Sequence, residues 1–307
     1  MMKHGYWLGL LVALSLGGCS FQNQCPKIVE TEGIIAKVAE LKEISTEFVF
    51  TEGPAADAAG NVYFTDQPND RIMIYTVDGQ IKTFMQPAGR ANGLYFDEQG
   101  NLIACADEYG ELRQIDIKTG TYKVLAHLYN GKRLNEPNDT WVRPQKGGLY
   151  FTDPYHQRSW WTHHAPTQDV QGVYFLSPDG TLVRVIDDLE VPNGIIGTPD
   201  AKTLYVSDRG ANKIYVYTIE RDGMLSDKQL FCDMGSDGMT IDCCGNVYLT
   251  NDRGVTVFSP SGEQIEQIKI PQTWTANVTF SGPDNHTLFI TAKTGIYTLK
   301  MNVCGAR

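Results

Sequence analysis

The chain has 307 residues, 36 acidic and 26 basic, giving a formal net charge of −10. With 42% hydrophobic and 20% charged residues it can bury a large core, which excludes a disordered polyelectrolyte. The acidity is spread along the sequence with no basic patch, and this argues against nucleic acid as a partner.

In chain order, residues 1–18 read as a leader. Lys3 and His4 precede an apolar run from Tyr6 to Leu16, followed by Gly17, Gly18 and Cys19. The run is too short to span a bilayer as a mature helix but suits a signal-peptide core. Small residues before a single Cys resemble the lipobox of bacterial lipoproteins. That resemblance implies cleavage before Cys19, lipidation of its thiol and amine, and export to the cell envelope. Ser20 in place of Asp points to the outer membrane, facing the periplasm. Residues 19–36 are then the lipidated cysteine and a tether, and 37–303 the folded domain.

From Thr51 onward the sequence repeats. EGPAADAAGNVYFTD (52–66) matches NGLYFDEQGNLIACAD (92–107), NDTWVRPQKGGLYFTD (138–153), NGIIGTPDAKTLYVSD (193–208) and DGMTIDCCGNVYLTND (237–252), with a weaker copy in NVTFSGPDNHTLFITA (277–292). Each copy is an apolar strand, a turn rich in Gly, Asp, Asn or Pro, and a second β-branched and aromatic strand. Two more strand-like runs usually follow, as in RIMIYTVDGQIKTF (71–84). Four strands per unit predict an all-β fold, a six-bladed β-propeller. KVAELKEISTEFVF (37–50) is expected to supply the outer strand of the last blade and so close the ring.

In a propeller the first strand of every blade lines the central channel. Equivalent positions at its start are Glu52, Asn92, Asn138, Asn193, Asp237 and Asn277, and each carries a side-chain oxygen. Two carboxylates at about 4 Å and an effective dielectric near 20 repel by about 4 kcal/mol, which a bound cation removes. Oxygen donors without Cys or His favour a hard cation, Ca²⁺ over Zn²⁺, in a central metal site. A second set, Asp66, Asp107, Asp153, Asp208 and Asp252, ends the second strands and should lie at the same mouth. Asp153 and Asp208 are its stronger candidates, because they follow the Asn138 and Asn193 strands.

QRSWWTHHAPTQDVQG (157–172) interrupts the third blade and reads either as a sugar-stacking lid or as a loop packed on the blade. Its histidines, with His156, receive no catalytic role. Six cysteines remain after Cys19, and Cys25 with Cys304 would clamp the two ends, although free buried thiols fit the sequence as well. No Gly-X-Ser-X-Gly elbow or phosphate-binding GxxxxGK[ST] loop is present.

GKRLNEPNDTWV…GGLYFTDPYH (131–156), with EGP (52–54), PNG (192–194) and DGM (237–239), resembles the gluconolactonase and regucalcin-type family of six-bladed, calcium-dependent lactone and ester hydrolases. The likeness covers nearly all of residues 37–302. It implies that Glu52, Asn138, Asn193 and Asp237 hold Ca²⁺, and that a small-molecule sugar lactone is the substrate. NVTFSG departs from the family's NVxFGG, which makes Asn277 the least secure transfer. On this reading Asp237 is the base or nucleophile and Asp208 shares the proton work. Asn92, Arg133, Asn135 and Asp153 would contact substrate, and Glu136 would bear on specificity. The alternatives are a calcium-dependent arylesterase or phosphotriesterase, and a non-catalytic propeller with a structural metal.

Overall fold

Each of the six repeats forms a four-stranded antiparallel sheet in the computed structural model, which describes residues 25–306. The expected leader and Cys19 lie outside the described residues. The inner strands are Thr51–Ala56, Ala91–Phe96, Thr140–Val142, Pro192–Gly197, Met239–Ile241 and Asn277–Ser281, taken as blades 1 to 6. The second strands, such as Val62–Asp66 and Leu149–Asp153, are buried throughout because neighbouring blades cover both of their faces. Aromatic side chains fill the wedges between blades: Phe64 of blade 1 packs on Phe289 of blade 6 at 5.7 Å, and Tyr248 of blade 5 meets Phe280 of blade 6 edge-on at 5.2 Å.

The ring closes as the sequence predicts. Lys42–Ser45 pairs antiparallel with Gly295–Lys300 and becomes the outer strand of blade 6, so the first and last parts of the chain share one sheet. Residues 25–36, expected as a tether, are instead folded onto this junction. Asn302 Nδ2 donates to the carbonyls of Gly33 and Ile35, Ile34 is buried, and Ile35 bridges Met301. The disulfide is Cys25–Cys244, not Cys25–Cys304. It ties the N-terminal segment to the turn after the inner strand of blade 5. Cys304 stays free beside Cys243, its amide donating to the Cys243 sulfur at 3.3 Å.

The inner strands share an irregularity that matters for function. In blades 1, 2 and 4 the pairing register shifts between Glu52 and Ala55, Ala91 and Leu94, and Pro192 and Ile195. In blades 3 and 5 regular pairing starts at Thr140 and Met239, two residues after Asn138 and Asp237. A local break in the ladder frees a side chain from the sheet's alternation and lets it be re-aimed. Here the freed residues are five of the six predicted to ring the axis. The residue after each is a glycine in four of these five blades, and close approach explains it. A Cβ on Gly53 would sit 2.1 Å from the Asn92 carbonyl oxygen, and one on Gly238 only 2.0 Å from Asn277 Cγ.

Candidate active site

Glu52, Asn92, Asn138, Asn193 and Asp237 converge on a cavity of about 280 Å³ at one mouth of the channel. Its rim is Phe50, His156, Arg158, Arg209 and Trp274, which come from the connections above the blades. A larger cavity of about 420 Å³ lies at the other end, lined chiefly by apolar inner-strand residues such as Leu94, Trp141, Ile195 and Phe280. Asp139 and Asn277 belong to that second cavity and not to the mouth. We place the chemistry at the smaller cavity because only there do several polar side chains meet with capacity to spare.

That capacity is concrete. Asn92 and Asn138 are 3% and 4% exposed, yet among the described residues their side-chain amides have no hydrogen-bond partner. Both amides face the cavity, so they are available to a ligand there. Glu52 accepts one bond, from the Gly53 amide at 3.0 Å. Burial, followed by the charge of Asp237, pushes its carboxyl well above the usual range, and the Gly53 amide and Asn277 only partly offset this. Asp237 is held from three sides: Trp274 Nε1 donates to Oδ2 at 2.6 Å, Asn193 Nδ2 to Oδ1 at 2.8 Å, and Arg209 Nη1 approaches Oδ1 at 3.5 Å.

Two mutually repelling carboxylates and amides without partners form a donor set that fits a hard divalent cation. Among the described residues no three or more His, Cys, Asp or Glu gather as a metal site. The ring offers two carboxylates, and the remaining donors are amide oxygens.

The second-strand aspartates behave differently. Asp66 Oδ1 accepts the amides of Val49 and Phe50, Asp153 those of Asn135 and Glu136, and Asp208 those of Glu190 and Val191. In each blade these are the residues three and two positions before the ring residue. The carboxylate therefore clamps the loop that delivers Glu52, Asn138 or Asn193. Asp208 also accepts the Ala211 amide. Neither Asp153 nor Asp208 lines the mouth, so the expected substrate contact and proton transfer are not where the structure puts them. In blade 2 the Asp107 carboxylate accepts from Gln67 and Trp160 side chains instead, and burial with the charge of Glu136 pushes it up to about 7. In blade 5 the strand ends on Asn251, not Asp252, and the Asn251 amide donates to the Gly235 carbonyl.

Arg133 and Asn135 are likewise absorbed by the chain. The Arg133 guanidinium donates to the carbonyls of Leu134, Asn135, Asp107 and Glu108. Asn135 Oδ1 accepts the amides of Thr167 and Gln168, pinning the 157–172 segment. That segment is a packed loop: Trp161 is buried and stacked on His163 at 4.6 Å, and Trp160 lies under Arg90 at 4.6 Å. What it delivers to the mouth is its base, His156 and Arg158. Glu136 is buried beneath both, ion-paired to Arg158 and to His156 Nδ1 at 3.1 Å. Burial opposes its charge, but Arg158 and His156 overcome this and hold the carboxyl below the usual range.

Arg158, Arg209, Trp274 and Phe50 were not legible in the sequence, since they sit in irregular connections with no periodicity. Of the expected substrate residues only Asn92 lies at the mouth. All four expected metal ligands do.

Comparisons with known proteins place the chain in a family and match its fold. The family described as SMP-30/Gluconolactonase/LRE-like region matches residues 50–294. A gluconolactonase from Zymomonas mobilis is 29% identical over 303 residues, covering 89% of this chain and 85% of its own. The structure of a gluconolactonase from Xanthomonas campestris superposes with a TM-score of 0.82 at 29% identity, over 89% of this chain and 92% of that one. A regucalcin from Agrobacterium tumefaciens shares the fold, with a TM-score of 0.73 at 19% identity over 86% of this chain and 94% of that one.

Proposed function

The chain belongs to the SMP-30/gluconolactonase/LRE-like family, and from that premise we propose that it is a calcium-dependent hydrolase of a sugar lactone. The observation that carries the reading is the convergence of Glu52 and Asp237 with the unpartnered amides of Asn92 and Asn138 on one cavity. Glu52, Asn138, Asn193 and Asp237 would hold the cation. When bound, it supplies a Lewis acid for the lactone carbonyl.

The remaining work falls to the chain's own side chains. Trp274 Nε1 on Oδ2 and Asn193 Nδ2 on Oδ1 fix the plane of the Asp237 carboxylate, and a remaining lone pair of that carboxylate takes the proton of the attacking water. The water oxygen bonds to the carbonyl carbon and the ring C–O bond breaks. The proton then passes to the leaving ring oxygen, giving an open-chain hydroxy acid. Asn92 is free to donate to a substrate hydroxyl. Arg158 closes one side of the cavity, anchored by Glu136 and by Asp107 at 3.2 Å.

By the same reading the protein is exported and lipid-anchored through Cys19. The Cys25–Cys244 disulfide supports the export, because such bonds persist in oxidising compartments, and the Cys19 anchor rests on the sequence alone. A pH-stat assay over aldonolactones, aryl esters and phosphotriesters, with and without chelator, tests the function. Acid release from an aldonolactone that chelator suppresses is expected. Faster turnover of an aryl ester or phosphotriester would shift the substrate class, and no turnover of any member would overturn the enzyme reading.

A further inference from the structure

Two arginines, Arg158 and Arg209, line the mouth of a chain that is acidic overall. Arg158 is ion-paired with both Glu136 and Asp107, while Arg133, which serves four carbonyls, and Arg90, which donates to the Pro68 carbonyl and lies over Trp160, do not line the cavity. Arg209 is different. Its guanidinium lies over the Trp274 ring at 4.9 Å and its side chain is 32% exposed. Among the described residues it has one hydrogen-bond partner, Asp237 Oδ1 at 3.5 Å through Nη1. Nε and Nη2 are without one, and the residue lines the cavity.

We infer that Arg209 and Trp274 form a subsite for an anionic group on the substrate, so that the preferred lactone carries a carboxylate, sulfonate or phosphate in addition to its ring ester. The inference rests on the hydrolase reading above. A planar guanidinium with a free edge matches such oxyanions bidentately, which an ammonium or a neutral amide does not. Trp274 keeps the plane fixed, because its face supports the cation and its own Nε1 is tied to Asp237. Little side-chain freedom is then lost on binding. Charge balance points the same way. A divalent cation neutralises Glu52 and Asp237, and Arg158 already has its carboxylates, which leaves Arg209 as the uncompensated charge at the mouth.

The test compares the neutral lactone of gluconic acid with the carboxylate-bearing lactone of glucaric acid in wild type, Arg209→Gln and Arg209→Lys. Arg209→Gln should lower kcat/KM for the charged lactone at least about tenfold more than for the neutral one, mainly through KM. Arg209→Lys should recover part of that difference. The wild-type KM for the charged lactone should rise with salt while that of the neutral one stays level. An equal fall on both lactones would overturn the inference, since Arg209 would then serve the reacting carbonyl or a hydroxyl common to both. Calorimetric binding of open-chain glucarate, which has no ester to cleave, separates this claim from the hydrolase reading. Glucarate binding that Arg209→Gln abolishes would sustain the subsite even if no lactone were turned over. Unchanged glucarate binding by Arg209→Gln would remove the subsite even if lactones were hydrolysed.

Discussion

Two sets of side-chain oxygens lie at the same end of the blades, one facing the mouth of the channel and one behind it, and they do different things. The residues that open the inner strands, Glu52, Asn92, Asn138, Asn193 and Asp237, sit where the ladder is broken and turn toward a cavity. The aspartates that end the second strands, Asp66, Asp153 and Asp208, stay in regular pairing and accept amides from the loops before those same residues. Residue type and face do not separate the sets. The supply of donors from the chain itself does: an oxygen already saturated by backbone amides has nothing left for a foreign ligand. The second set is a scaffold for the first.

The largest break in this comparison should come from Asp237→Asn. Lactone hydrolysis should fall by about 100-fold or more, the scale seen when one charge-stabilising group is lost from an active site. The melting temperature of the chelated variant should rise, since Glu52 loses a like charge beside it. Circular dichroism melts with and without chelator check the second part.

Asp208→Ala should produce the opposite pattern. Leaving the buried amides of Glu190 and Val191 unpaired is expected to cost about 2–4 kcal/mol in denaturant unfolding. Activity per folded molecule should stay within about threefold of wild type. A loss of turnover as deep as that of Asp237→Asn, in protein that remains folded, would return Asp208 to the chemistry.

A pH titration sharpens the distinction further. Burial and Asp237 raise the Glu52 carboxyl, and burial pushes Asp139 up to about 7. The cation-free folded state thus binds more protons than the unfolded one between the ordinary carboxylate range and about 7. Its stability should fall as pH rises through that window. With saturating calcium the fall should be shallower, because the cation binds the charged form. Parallel profiles with and without calcium would contradict the assigned ligands.

The smallest effect on turnover concerns the Cys25–Cys244 bridge. In the unfolded chain it closes a loop with a sequence separation of 219, whereas in the fold it lies at the turn after the blade 5 inner strand, away from the mouth. Cys25→Ser should lower stability by about 2–5 kcal/mol in denaturant unfolding and leave turnover unchanged.

Much of this was legible in the sequence because repetition turns position into geometry. The six inner-strand starts and the closing strand follow from aligning the chain with itself, and the family resemblance singles out Glu52, Asn138, Asn193 and Asp237 among those starts as the expected ligands. RLNEPND shows where that method stops. Asn138 was placed correctly by its repeat, whereas Arg133 and Asn135, only a few residues earlier, turn inward to bind loop carbonyls and amides. In an irregular connection nothing in the residue order says which way a side chain points. For the same reason the sequence carries no signal for Arg209 and Trp274, which are single residues in connections that the repeat does not share. The disulfide partner of Cys25 was hidden too, since Cys244 and Cys304 lie near each other in space and only folding separates them.

The most direct test of the account is calorimetric titration of metal-stripped protein with Ca²⁺, run in parallel on wild type, Glu52→Gln and Asp66→Asn. A bound ion is expected in wild type and in Asp66→Asn, and a loss of binding in Glu52→Gln. Equal calcium binding by wild type and Glu52→Gln would contradict it.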